Sequence, residues 1–128
     1  MNKYTKITLD ELMKRKEQML EAKKKKKTRE LYIPSLDGTI TIQEPSKELV
    51  YDVRDMEAGE DDKYMTYQSV IDPPLKSQEL QDAFECQEPM DIVDKLFADG
   101  EIPQISVAAM KLAGYMGGVK EIEEIKNS

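Results

Sequence analysis

The chain has 128 residues, enough for one domain with a modest core and too few for two independent ones. Apolar residues make up 39% and charged residues 35%, with eight Met, two Phe and no Trp, which describes an adaptable ordered centre with solvated or partner-dependent ends. The net charge of −7 divides into +6 over residues 1–27 (ten Lys/Arg, four Asp/Glu) and −13 over the rest (nine against twenty-two), a basic arm on an acidic body that argues against general nucleic-acid binding.

The single Cys86 excludes an intrachain disulfide and fits a reducing compartment. No apolar run approaches the length of a membrane span, and the N-terminus lacks the apolar core of a signal peptide. The expectation is a soluble protein of the cytoplasm.

The spacing predicts a first helix from Thr8 to about Lys26. Thr8 and Glu11 form a capping box. Leu9, Leu12, Met13 and Leu20 recur at helical spacing with Met19 beside them, a narrow stripe interrupted by Lys16. Such a stripe either docks on its own fold or takes a partner. The five lysines Lys23 to Lys27 read as a solvated helix end, where cations meet the negative pole of the helix dipole; no aromatic or Arg is interleaved among them to stack on bases.

Residues 29–44 alternate as two strands joined by Ser35-Leu36-Asp37-Gly38, with Gly38 expected to take the positive φ. Leu31, Ile33, Ile40 and Ile42 share one face. A two-stranded hairpin is marginal alone, so that face must pack on helices or meet another chain's strands, and the free edges could extend a sheet into a neighbour. Ser46 then caps a helix carrying Leu49, Val50, Val53 and Met56, which Ala58 to Asp62 breaks as a solvated acidic loop. Lys63 to Ile71 carries both helical and strand signals. A short helix capped by Asp61 or Asp62 and stopped before Pro73 is the expected outcome.

Three Pro- or cap-started helices follow. Ser77 opens the one carrying Leu80, Ala83 and Phe84. Pro89 opens the one with Ile92, Val93, Leu96 and Phe97. Pro103 opens the last, with Ile105, Ala108, Ala109, Leu112 and Met116 as its stripe and Gly117-Gly118 as its stop. Val119, Ile122 and Ile125 mark a final charged turn or two. The predicted fold is mainly α: about five to six helices with one β-hairpin near the N-terminal third. Its parts are a basic amphipathic helix over 1–27, a single compact domain over 28–116 and a flexible tail over 117–128.

The chemistry of catalysis is missing. Without His the commonest general base and metal ligand is gone, and Cys86 reads as a half-buried hydrophobe. Asp91 and Asp94 stand one helical turn apart, as solvated acids often do. No phosphate-cradling glycine pattern occurs. No catalytic residue, cofactor or metal ligand is assigned, and an enzyme is not expected.

The order of the pieces resembles the XkdN-like family of phage tail assembly chaperones. Tyr64 to Ile71 leads into Asp72-Pro73-Pro74-Leu75-Lys76, then Glu79 to Phe84. Glu88 to Phe97 follows, then Gly100-Glu101-Ile102, and Met110 to Tyr115 closes the match. Thr8 to Leu12 and the hairpin fit the same arrangement. The resemblance implies a non-catalytic chaperone of a contractile-tailed phage, a PBSX-like prophage or a tail-like particle. Its implied client is the tape measure protein, kept soluble while the tube forms, with the chaperone absent from the finished particle. The major tail tube protein and a longer frameshifted form of the chain are the other partners it suggests. A homo-oligomer is a separate expectation, since the hairpin edges or the basic first helix could meet a neighbouring copy. A permanent structural or adaptor protein of the tail, and a regulator using the lysine arm on nucleic acid, stand as alternatives. The residues expected to hold a partner are Leu9, Leu12, Met13, Met19 and Leu20 of the first helix and Leu31, Ile33, Ile40 and Ile42 of the hairpin.

Overall fold

The computed structural model describes residues 4–122. The chain divides into two units, residues 1–26 with 117–128, and residues 27–116. Within the second unit the hairpin forms from β1 (Thr28–Ile33) and β2 (Gly38–Gln43), antiparallel, with Leu31 opposite Ile40 and Arg29 opposite Ile42. This register places Leu31, Ile33, Ile40 and Ile42 on one face, as the alternation requires. The open end is closed by Glu44, whose N–H donates to the Lys27 carbonyl (2.9 Å) and whose carboxylate accepts from the Lys27 N–H (2.9 Å). At the turn, Pro34–Leu36 form a short 3-10 helix and Asp37 takes the left-handed conformation (φ 47°) expected of Gly38. Asp tolerates that region better than most side chains, and the Asp37 carboxylate accepts a hydrogen bond from the Tyr32 hydroxyl at 2.7 Å.

The hairpin is not alone. β3 (Val70–Asp72) pairs antiparallel with β2, Val70 opposite Ile42 and Asp72 opposite Thr41, so β2 is the central strand of three. The ambiguous segment therefore contains both structures, α3 (Glu60–Ser69) followed directly by β3. The acidic stretch expected to be a loop is in part the start of α3. Gly59 turns the chain at φ 96°, and Glu60, Asp61 and Asp62 occupy the first turn, where carboxylates face the positive end of the helix dipole.

The remaining helices follow the cap signals more closely. α2 (Lys47–Arg54) starts where the Ser46 hydroxyl accepts from the Leu49 N–H (3.1 Å), and α4 (Gln78–Ala83) where Ser77 does the same for Leu80 (3.3 Å). Before α5 (Asp91–Leu96) the Asp91 carboxylate accepts from the N–H groups of Glu88 and Gln87, bonds that hold its carboxyl below the usual range. α6 (Glu101–Leu112) begins two residues before Pro103 and ends earlier than Gly117. Gly114 at φ 89° supplies the stop: its N–H donates to the Lys111 carbonyl and the Tyr115 N–H to that of Met110, the paired bonds of a Schellman cap. Met116 thus falls beyond the helix and is exposed.

α3 and α6 form the central helix pair, and α6 also packs on β1 and β2. The inward face of α3 is Met65, Thr66 and Ser69, and that of α6 is Ile102, Ile105, Ser106, Ala109 and Leu112. Small side chains on both helices permit close approach. The Thr66 hydroxyl donates to the Ile102 carbonyl (3.2 Å) and that of Ser69 to the Met65 sulfur (3.3 Å), so the buried polar groups are satisfied. Ile33, Ile40 and Ile42 complete this core from the sheet side, with Val50, Val70, Leu75, Ile92, Val93 and Phe97 around them. α4 departs from expectation. Gln81 is its buried residue, donating to the Leu75 carbonyl (2.9 Å), while Ala83 and Phe84 face solvent. An amide there meets a backbone acceptor that an apolar side chain would leave unpaired.

Two polar links fix the elements around this core. Lys63 on α3 pairs with Asp94 on α5 at 2.7 Å, a contact that raises the pKa of the lysine. Glu101 clasps the hairpin turn to α6: its carboxylate accepts from the Ser35 hydroxyl (2.6 Å), the Ser35 N–H (3.0 Å) and the Ala98 N–H (2.9 Å). These donors, led by the Ser35 hydroxyl, hold its carboxyl below the 4.5 of an ordinary glutamate.

Leu112→Ala is expected to cost about 2–5 kcal/mol in urea unfolding, and Leu96→Ala less, because Leu112 is buried whereas Leu96 is only partly covered. Ala109→Leu is expected to cost about 1–3 kcal/mol by overpacking the core around α6, where Ala109 is fully buried. The Glu101 clasp is fully present above the unfolded carboxyl's pKa and is lost as pH falls through the lower folded one. The urea midpoint should therefore drop through the acid range, and Glu101→Gln should flatten that part of the profile.

Candidate partner-binding surface

The first unit contains α1 (Leu9–Lys24), started as the sequence predicts by the Thr8 hydroxyl accepting from the Glu11 N–H at 3.2 Å. Asp10 and Glu11 lie in its first turn and Lys23 and Lys24 in its last, both favourable to the helix dipole. Arg15 pairs with Glu11 (3.4 Å) and Lys24 with Glu21 (3.2 Å) along the helix. Such exposed pairs stabilise a helix only slightly. None of the residues of α1 is buried. Leu9, Leu12, Met13, Met19 and Leu20 are 42–74% exposed, so five large apolar side chains lie in solvent on a charged helix.

The hairpin candidates stand differently. Ile33, Ile40 and Ile42 are at most 3% exposed and belong to the core, and Leu31 is half-buried against it. Of the two fates open to that face, packing on helices is the one realised. What β1 offers outward is its edge. The Lys27–Glu44 bonds set the ladder phase, so the backbone groups of Thr28, Glu30 and Tyr32 point away from β2. Between that strand and α6 runs a small groove lined by Leu31, Ile33, Pro34, Ile105 and Ala108.

A second groove, absent from the sequence-based expectations, lies among α2, α3 and α6. Val53, Met65, Val107, Met110 and Met116 line it, and Asp61 and Asp62 stand at its rim. Met116 was readable only as a core residue because the helix was expected to reach Gly117. With α6 ending at Leu112, the chain turns back and leaves the Met116 side chain at the surface.

The other singled-out groups have structural roles. Asp91 holds the turn that leads into α5, accepting from the N–H groups of Gln87 and Glu88, and Asp94 holds Lys63. Cys86 is partly buried against the core. Ile125 lies outside the described residues. Among the described residues no cluster of acidic or Cys side chains could hold a metal ion, and no helix is long and apolar enough to cross a membrane.

The geometry is that of a small α-rich body accompanied by an amphipathic helix with an exposed apolar stripe. No curated protein and no solved structure matches the chain. A family-wide profile does, over residues 3–126, and its description is that of the phage XkdN-like tail assembly chaperone protein. The match spans nearly the whole chain, including both units and every element described above, and the protein therefore belongs to the XkdN-like family of phage tail assembly chaperones.

Proposed function

We propose that this chaperone acts without catalysis in the host cytoplasm, binding the tape measure protein, keeping it soluble while the tail tube polymerises, and leaving before the particle is complete. The observation that supports a binding role is the exposed stripe of α1: Leu9, Leu12, Met13, Met19 and Leu20 present flexible apolar surface of low shape specificity. A long helical client with apolar faces can lie against such a stripe. The surrounding lysines favour acidic stretches of the client, and the net charge of −7 keeps coated complexes apart. The major tail tube protein and a longer frameshifted form of the chain are further partners in this scheme.

Co-expression with the tape measure gene of the same cluster is expected to raise the client's soluble fraction and to co-purify it with the chaperone. Met13→Asp combined with Leu20→Asp should abolish both effects while far-UV circular dichroism and the urea midpoint of the body stay unchanged. A client no more soluble with the chaperone than without it would exclude the role. Mass spectrometry of purified particles should find no stoichiometric chaperone; its presence would make the protein a permanent tail component instead.

A further inference from the structure

The groove among α2, α3 and α6 joins two kinds of chemistry. Its floor is apolar and adaptable: Val53, Met65 and Met110, flanked by Val107 at 39% exposed and Met116 at 56% exposed. Its volume of about 160 Å³ suits one large apolar side chain, with the exposed Val107 and Met116 extending the surface beside it. Its rim is acidic. Asp61 and Asp62 border it, Glu57 and Glu60 adjoin them in sequence, and among the described residues none of these four forms an ion pair. An apolar, Met-lined groove with unneutralised carboxylates at its edge is complementary to a basic amphipathic helix.

The chain carries such a helix. α1 combines Leu9, Leu12, Met13, Met19 and Leu20 with Lys14, Arg15, Lys16 and the lysines from Lys23 onward, and residues 1–27 are +6 against −13 for the rest. Only Lys25 to Lys27 separate α1 from β1, about 10 Å of chain at full stretch. On α6, Ile105 and Ala108 face the β1 groove, whereas Val107 and Met110 line the acidic one, so the acidic groove opens on a different flank of α6 from β1. Every residue of α1 is exposed in its own chain, so the stripe is available to a neighbouring molecule.

We propose that the acidic groove receives α1 of a second copy of this chain, with a Leu or Met of the stripe seated on the groove floor and the helix's cations facing Asp61 and Asp62. Free chaperone then covers its own apolar stripe by exchange between copies, and a client helix displaces the arm. The inference is independent of which client is bound, because its test uses the chaperone alone.

Sedimentation equilibrium of the full chain is expected to show concentration-dependent association whose dissociation constant rises about tenfold or more between low and high salt. Two variants divide the contact: an arm variant, Met13→Asp with Leu20→Asp, and a groove variant, Val107→Lys with Met116→Lys. All four positions are exposed, so both should keep the wild-type circular dichroism spectrum. Each alone is expected to be monomeric where wild type associates. Mixed in equal amounts they should form a heterodimer, since the intact arm of one meets the intact groove of the other. A wild-type chain that stays monomeric at all concentrations would overturn the proposal, as would a groove variant that associates like wild type or a mixture that fails to complement. Should either variant unfold, the salt dependence of the unmodified chain decides: association that salt leaves unchanged or strengthens would also overturn it.

Discussion

The contact between α3 and α6 is the constraint on which the rest of the body depends. The buried residues of both helices include small or slim side chains, Thr66 and Ser69 on α3 and Ser106 and Ala109 on α6, beside the larger Met65, Ile102 and Ile105. Small side chains bring the helices close, and proximity brings the Thr66 hydroxyl to the Ile102 carbonyl. Because α3 runs straight into β3, its position also sets where the third strand meets β2. Because α6 packs on β1 and β2, the same pair supports the hairpin that could not stand alone in water. α2 and α5 both pack on α3. Few aromatics are needed when the central contact is made of small groups and one Met.

Several charged side chains serve local structure. Carboxylates that looked idle in the chain do specific work: Asp91 ties down the turn before α5 through the N–H groups of Gln87 and Glu88, Asp94 pairs with Lys63, and Glu101 clasps the hairpin turn to the start of α6. Asp61 accepts from the N–H groups of Gly59 and Asp62, ordering the entry to α3. Asp61 and Asp62 border the groove beside α3 without an ion pair, while ten of the nineteen cations lie in residues 1–27. A chaperone family gains from this division. Apolar side chains on a strongly charged helix can stay exposed with less tendency to drive non-specific aggregation.

Much of the fold could be read directly because helix entry is a local event. Thr8, Ser46 and Ser77 each cap the helix that follows, since a hydroxyl beside an apolar stripe satisfies donors within its own three residues. Alternation placed Leu31, Ile33, Ile40 and Ile42 on one face for an equally local reason, the two-residue period of a strand. The misreadings came where two local signals competed. Gly38 was the obvious residue for positive φ, yet the 3-10 turn over Pro34–Leu36 moved that demand to Asp37. Pro103 suggested a helix start, but a proline fits anywhere in the first turn, and starting at Glu101 lets Ile102 reach the core. Gly114 stops α6 before Gly117-Gly118 can, which converts Met116 from an expected core residue into a surface one.

The sequence by itself determined the mainly α class, the hairpin, the basic arm against an acidic body and the family resemblance, all of which rest on composition, short-range spacing and the order of pieces along the chain. The tertiary structure decided three things that depend on partners distant in sequence. It added β3 to β2, a pairing no property of residues 70–72 specifies alone. It buried Ile33, Ile40 and Ile42 beneath α6 and so withdrew them from the surface. It also assembled a groove from Val53, Met65 and Met110, which lie on three separate helices. A stripe on one helix is visible in the chain because its residues recur every turn. A groove shared by three helices has no period, and exists only once they are packed.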